Sequence, residues 1–541
     1  MSPEKLNTTV QRKILFQSES FEVVSIDWNK NSLSEKHNHG WSQCSVLIES
    51  GAFENTLELG VKTEIQLLEQ GQVLETPIGA HHSMRCLTTS GRTLHVYTPK
   101  IIEHTDYGKF KIQSTADFQE ELLLSTPTTM NELKKILIHI KDNSVSTKSP
   151  YFMNQLFSGI MPQMLLAEEL IAQTKSTMAT FEASPTFSKI ETEIVHSLCQ
   201  TIGWKKNKCD GISVPGGSAA NFMALHCARQ KMFPDIKKTG ITGQQFSVFV
   251  SSEAHYSFKK ACAALGIGTN NLVEVPVDQA GRLIPEKLDQ LILQQKNNGK
   301  IPLLVCATAG TTVLGAFDPL DKISEICKKH SLWLHVDAAW GGPALFSKQL
   351  KKLVQGIELA NSVTFDAHKL FGASLTCSFF LTQDVGLLLE ANDVSGGDYL
   401  FHSENPQADH GKKSWQCGRK ADAVSFWTIW KSLGTEGLGD FVDKLLNIRD
   451  ETLDWIKTEP RLELVAAPDF LNICIRVKPS NPEVDSFSWS KKVREDLKNK
   501  NLAMVNYSTD QNGDFLRLIL ANPYLQFNHV KQILQWSLEV K

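Results

Sequence analysis

Four apolar stretches constrain this chain more than any other feature: FSVFVSS (246–252), PLLVCAT (302–308), LWLHVDA (332–338) and SVTFDAH (362–368). Each has strand length and is rich in β-branched or aromatic residues, and the stretches alternate with segments of helical period. Strands that are apolar throughout are buried on both faces, and alternation with helices builds a largely parallel sheet. The chain beyond about residue 150 therefore reads as an α/β domain that ends in a smaller α+β portion.

Upstream the texture differs. FEVVSIDW, QCSVLIESG, NTLELG and RTLHVYTP are β-rich with no helical period, so residues 12–99 read as an all-β domain. From about residue 114, DFQEELLL and NELKKILIHI repeat apolar residues at three and four, which predicts helices. DNSVSTKSP (142–150) reads as a loop. The expected organisation is multidomain: a β domain over 1–110, a helical linker over 111–150, a large domain over 151–440 and a small α+β domain over 441–541. A length of 541 residues exceeds what one hydrophobic core usually spans.

Composition narrows the function. A net charge of −3 offers no basic face for nucleic acid. No apolar run approaches the roughly 18 residues of a membrane span, and MSPEKLNTTVQRK lacks the apolar centre of a secretory signal. The 11 scattered cysteines fit reduced thiols in a cytoplasm better than a disulfide framework.

The chemistry clusters at strand and helix ends. LWLHVDAAWGG ends a strand in Asp337, and SVTFDAHKLFG ends another in His368 and Lys369. Open α/β sheets bind ligands at such carboxyl ends. VPGGSAAN (214–221) opens a helix with Gly217 and Ser218, whose free N–H groups suit a phosphate. SSEAHYS adds His255. A lysine amine forms a Schiff base with an aldehyde cofactor. A carboxylate paired with a pyridinium nitrogen strengthens the electron sink. A flat imidazole can stack on the ring.

With ATFEASPTFSKIE, HYSFKKACAALGIG, ATAGTTVLGAFDP, HVDAAWGG, DAHK and QCGRKADAVSFWTIWKSLG, residues from about 151 onward resemble the group II pyridoxal 5'-phosphate (PLP) decarboxylases, nearest the glutamate and cysteine-sulfinate branch. The resemblance implies a fold type I enzyme working as a homodimer. It makes Lys369 the Schiff-base lysine, Asp337 the partner of the ring nitrogen and His255 the stacking ring. Gly217, Ser218 and His368 would surround the phosphate, with Thr308 and Thr311 lining the pocket. Arg419 in QCGR would grip the substrate's side-chain acid, a task suited to the guanidinium fork, with Gln155 beside it. Phe157 in NQLFSG resembles the cysteine-sulfinate branch and would shorten the pocket toward a C3 acid. Two departures stand out. The family's NPHK is DAHK here, which would put the charge of Asp366 near the phosphate unless the side chain turns away. The stretch FHSENPQADHGKKSW lacks the branch's loop tyrosine, leaving His410 or His402 as proton donor.

The β domain carries a second constellation. HNHGWSQC and the following SVLIESG read HxHx4Cx6G, and GQVLETPIGAHHSM reads Gx5PxGxxH. These are similar to the two half-motifs of a cupin barrel. His37 and His39 alternate onto one side of a strand. The third metal ligand is His82 or its neighbour His81, and the PxGxxH spacing favours His82. Three histidines also suit zinc, but Cys44 in the glutamate position, with His95 and Tyr97 in LHVYTP and Arg12 in VQRKIL, resembles cysteine dioxygenase. That resemblance implies Fe(II), a Cys44–Tyr97 thioether and a substrate carboxylate on Arg12.

The two resemblances meet in one sequence of reactions. L-cysteine and O2 would give cysteine sulfinate in the first domain, and its decarboxylation would give hypotaurine in the second. The alternative is an aspartate or glutamate decarboxylase with a regulatory or differently specific cupin.

Overall fold

The computed structural model describes residues 10–17, 22–34, 43–59, 62–76, 81–98, 127–394, 396–402 and 408–540. The chain divides into two compact units, 1–108 and 109–541. Among the described residues no helix is long and apolar enough to cross a membrane.

The first unit is a β domain. Its strands are β1 (Val10–Gln17), β2 (Glu22–Asn29), β3 (Gln43–Ser50), β4 (Ala52–Leu59), β5 (Lys62–Glu69), β6 (Val73–Thr76), β7 (His81–Cys86) and β8 (Ser90–Thr98). They form two antiparallel sheets, β1-β2-β8-β3-β6 and β5-β4-β7. Period-two alternation sorts the side chains. On β7, His82, Met84 and Cys86 are buried while Arg85 is exposed. Val24, Ile26, Trp28, Val46, Ile48, Phe53 and Tyr97 belong to one core.

The second unit opens on α1 (Met130–Asn143), started by a capping box between Thr129 and Glu132. DFQEELLL lies outside the described residues. Next come β9 (Phe152–Met153), α2 (Pro162–Thr174), α3 (Pro185–Ile202), β10 (Asp210–Pro215) and α4 (Gly217–Met232). The large sheet continues with β11 (Phe246–Ser251), β12 (Leu272–Val275), β13 (Ile301–Thr308), β14 (Trp333–Asp337), β15 (Ser362–Asp366) and β16 (Cys377–Thr382). Its order is β10-β16-β15-β14-β13-β11-β12. β11 to β15 run parallel, whereas β16 is antiparallel to both β15 and β10. Two reversals restore the direction, so β10 ends at the same edge as β13, β14 and β15.

A smaller sheet contains β17 (Leu462–Leu464), β18 (Asn472–Val477), β19 (Met504–Asp510) and β20 (Gly513–Ile519). Its last strand is β9, which pairs parallel to β19 through Phe152 with Met504 and Met153 with Val505. Residues 152–153, expected within the large domain, thus hydrogen-bond into the C-terminal sheet. This brings Asn154 to Arg517 on β20.

Below the lysine-bearing turn lies an aromatic cluster. Phe426, fully buried on the helix Ala423–Ile456, meets the rings of Phe365, Phe371, Phe379 and Trp430 at centroid distances of 5.3–6.3 Å. Phe365 and Phe371 flank the segment Asp366 to Lys369. Phe426→Ala is expected to destabilise the chain by about 3–5 kcal/mol, the usual cost of emptying a packed aromatic site. Denaturant unfolding followed by tryptophan fluorescence measures this; a loss below about 1 kcal/mol contradicts the cluster's role.

Candidate active site

Register across the parallel strands builds one row of side chains. Thr308 at the end of β13 pairs with Asp337 at the end of β14, and Asp337 pairs with Thr364 on β15. The Asp337 carboxylate accepts from Asn221 Nδ2 at 2.7 Å and from the Ala339 N–H at 3.1 Å. Asn221, on α4, presents its Oδ1 to Thr364 Oγ1 at 2.8 Å and His335 Nε2 at 3.1 Å. Burial pushes His335 down to about 3, against a smaller upward pull from Ser362, so its ring stays neutral. Asp337 is thereby held as an acceptor by neutral groups.

Lys369 Nζ lies 3.1 Å from Asp366 Oδ2. That carboxylate also faces the start of α4, where a Cβ on Gly217 would meet Oδ2 at 2.7 Å. Asp366 therefore does not turn away from the glycine-serine cup. His368 directs Nδ1 to the Cys377 carbonyl at 3.0 Å and to Ser378 Oγ at 3.2 Å, which anchors the turn to β16. His255 follows β11. Burial lowers its pKa, and the charges of Asp337, Lys369 and Asp366 all act on it. His255, Asp337, Asp366 and Lys369 thus share one electrostatic environment.

Thr308 and Thr311 play different parts. The Thr308 hydroxyl is buried with no hydrogen-bond partner, whereas Thr311 Oγ1 accepts from the Ala316 N–H at 3.0 Å and shapes the turn. The N–H groups of Gly217 and Ser218 have no acceptor among the described residues, while those of Ala219 and Ala220 turn back to the Gly216 carbonyl. An orphan hydroxyl, two free helix-start donors, a fixed acid and an accessible lysine fit an aromatic phosphate ester with a reactive aldehyde.

The two arginines differ from expectation. Arg419 is buried and bonded to Glu191 Oε1 at 3.1 Å, Ser213 Oγ at 2.8 Å and the Ser213 carbonyl at 3.0 Å. Its guanidinium is thus engaged by an acid of the fold itself, at the residue whose fork was expected to meet a substrate acid. His410 joins the same cluster, with Nδ1 3.6 Å from Glu191 and Nε2 3.3 Å from Thr192. His402 is exposed, 3.6 Å from Glu182. Arg517 has the opposite character. It donates to the carbonyls of Asn154 at 2.7 Å and Thr312 at 2.9 Å, and its Nε has no partner. No carboxylate pairs with it among the described residues. Gln155 is exposed and Phe157 half-buried in the segment that follows Asn154. Sequence reasoning missed Arg517; its signal was an arginine inside the apolar run FLRLI of β20.

In the first unit, Cys44 and Tyr97 are cross-strand partners. His95 Nδ1 lies 3.8 Å from Cys44 Sγ and 3.2 Å from the Tyr97 hydroxyl. Burial pushes the Cys44 thiol far up, against the lowering effect of Tyr97, so it is a neutral thiol at ordinary pH. Arg12 contacts Glu22 at 3.4 Å, and its charge also acts on Tyr97. His82 Nδ1 faces Asn55 Oδ1 at 3.1 Å. His37 and His39 lie outside the described residues. Among those described, no group of three or more His, Cys, Asp or Glu side chains is placed to hold a metal.

A lysine, an acid, an imidazole and a glycine-opened helix gathered at one edge of this sheet define a PLP enzyme of fold type I. The chain belongs to the pyridoxal-dependent decarboxylase family, whose conserved domain it matches over residues 119–478. It is 39% identical to human acidic amino acid decarboxylase GADL1 over 411 residues, 73% of this chain and 78% of that protein. It is 36% identical to mouse cysteine sulfinic acid decarboxylase over 429 residues, 77% and 84% of the two chains. The crystal structure of mouse CSAD matches with a TM-score of 0.76 at 33% identity, covering 79% of this chain and 92% of that one.

The Glu191 cluster yields a pH prediction. Burial alone would raise Glu191, but Arg419, then His410 and the Ser213 N–H hold it well below the carboxylate range. A depressed folded pKa means stability that is complete above the unfolded value of about 4.3 and is lost as pH falls below it. Glu191→Gln is expected to lose about 3–5 kcal/mol at neutral pH. It should also lose stability less steeply than the parent between about pH 5 and pH 2. Parallel acid-unfolding curves for the two chains contradict the ion pair.

Proposed function

We propose that the second unit decarboxylates a short acidic amino acid, cysteine sulfinate or its near isostere aspartate, and that Arg517 receives the side-chain acid. The observation that carries this is a buried guanidinium with carbonyl partners and no carboxylate. Burial pushes its pKa down, the sign of a cation whose desolvation is not offset by an anion. The Thr312 carbonyl that Arg517 engages follows directly on Thr311, so the arginine borders the cofactor loop. Two relatives named for acidic and cysteine sulfinic substrates support the class. Phe157 supports a short substrate.

Bound PLP supplies the sink for the electron pair left when carbon dioxide departs. Lys369 offers the amine that holds the cofactor's aldehyde. Asp337, fixed by Asn221, would keep a proton on the ring nitrogen, and His255 would cover the ring. Gly217, Ser218 and His368 would hold the phosphate, and Thr308 would offer its orphan hydroxyl. A homodimer fits the unit's surface. α1 buries none of its residues, and Leu165, Leu166 and Leu170 on α2 are exposed.

A second activity, thiol oxidation by a cupin-like first unit, is favoured by the clustering of Cys44, His95 and Tyr97 beside Arg12. His82, oriented by Asn55 as metal-bound imidazoles usually are, would hold Fe(II) with His37 and His39. A substrate carboxylate would share Arg12 with Glu22. Its product, cysteine sulfinate, would be the second unit's substrate.

Arg517→Met is expected to lower kcat/KM for cysteine sulfinate about a hundredfold while PLP uptake is unchanged. Unaltered kinetics overturn the assignment. Phe157→Ser should raise glutamate relative to aspartate turnover by about tenfold, as one methylene is worth about 1–3 kcal/mol. Iron-loaded chain should consume O2 with L-cysteine, and Cys44→Ala should change that rate. No uptake by the iron-loaded parent sinks the dioxygenase reading and leaves the decarboxylase untouched.

A further inference from the structure

We propose that Asp366 is a built-in competitor for the anion seat at the start of α4, a role that rests on reading this seat as the cup for the cofactor's phosphate. Three observations converge. The N–H groups of Gly217 and Ser218 at the head of a 16-residue helix have no acceptor among the described residues. The helix macrodipole adds partial positive charge there. Asp366 is 1% exposed, its Oδ1 has no hydrogen-bond partner, and its two oxygens lie 2.7 and 3.0 Å from where a Cβ on Gly217 would stand. Its Oδ2 holds Lys369 at 3.1 Å and lies 3.9 Å from His368 Nε2.

A buried carboxylate oxygen without a donor keeps its desolvation cost. Here the carboxylate lies beside the helix start and pairs with the lysine, the two features that an incoming phosphate and aldehyde need. A phosphate dianion seated on Gly217 and Ser218 meets this carboxylate as a like charge at close range in a poorly screened site. The same carboxylate holds Lys369 in a contact that capture of the aldehyde must break. Both effects act in one direction. Asp366 weakens cofactor capture, and the phosphate must displace it. Asparagine, equal in shape and uncharged, removes the competition and retains a polar group beside His368.

The test uses full-length chain stripped of cofactor, as parent, Asp366→Asn and Asp366→Ser. PLP is titrated by the absorbance of the lysine-bound cofactor. Inorganic phosphate is titrated separately by thermal unfolding, which does not involve the aldehyde. Asp366→Asn is expected to bind PLP at least about tenfold more tightly than the parent, and phosphate should raise its unfolding temperature more. Asp366→Ser should move both readouts in the same direction, which serves if the asparagine variant folds poorly. Equal or weaker PLP and phosphate binding by the variants overturns the proposal. Tighter phosphate binding by the variants, with no PLP uptake by any chain, overturns the cofactor reading and leaves the competitor role standing.

Discussion

The second unit depends on the parallel registration of β13, β14 and β15. Their pairing aligns Thr308, Asp337 and Thr364, and places the Asp366–Lys369 turn at the same edge. A slip of one residue in β14 would reverse every side chain and turn Asp337 away from its row. The aromatic cluster around Phe426 and the anchoring of His368 to β16 fix the height of the turn. The bond from Asn221 to Asp337 ties α4 to the central strand, so the glycine-opened helix start and the acid are positioned by one contact.

Charge compensation sorts the remaining polar groups. Arg419, Glu191 and His410 form a closed cluster in which cation and acid neutralise each other, as buried ions must. Arg517 and Asp366 are not closed in this way. One is a guanidinium facing carbonyls, the other a carboxylate with an unbonded oxygen. Asp366 pairs with Lys369 through its other oxygen, whereas Arg517 has no carboxylate beside it among the described residues. The structure thus separates an arginine paired with a carboxylate from one that faces carbonyls.

Much of this was legible in the sequence. The acid, lysine and imidazole could be placed because each stands at the end of an apolar strand, where chain direction alone fixes the edge. His82, favoured by the PxGxxH spacing, lies on the buried face of β7. Arg419 was singled out and Arg517 was not, because the two are chemically identical in sequence. Only folding brings Glu191 to the first, across 228 residues, and leaves the second without an acid among the described residues. β9 was illegible because two residues carry no period. The facing of Asp366 toward Gly217 was open too, since a strand's last residue can point to either side of the turn that follows.

The most direct test of the account is the substrate profile of the PLP-loaded parent chain, with carbon dioxide release measured for cysteine sulfinate, aspartate and glutamate at matched concentrations. The account predicts turnover of cysteine sulfinate and aspartate, with glutamate slower by about tenfold or more. Preference for glutamate, or decarboxylation of uncharged amino acids at comparable rates, would contradict a short pocket closed by Phe157 and Arg517.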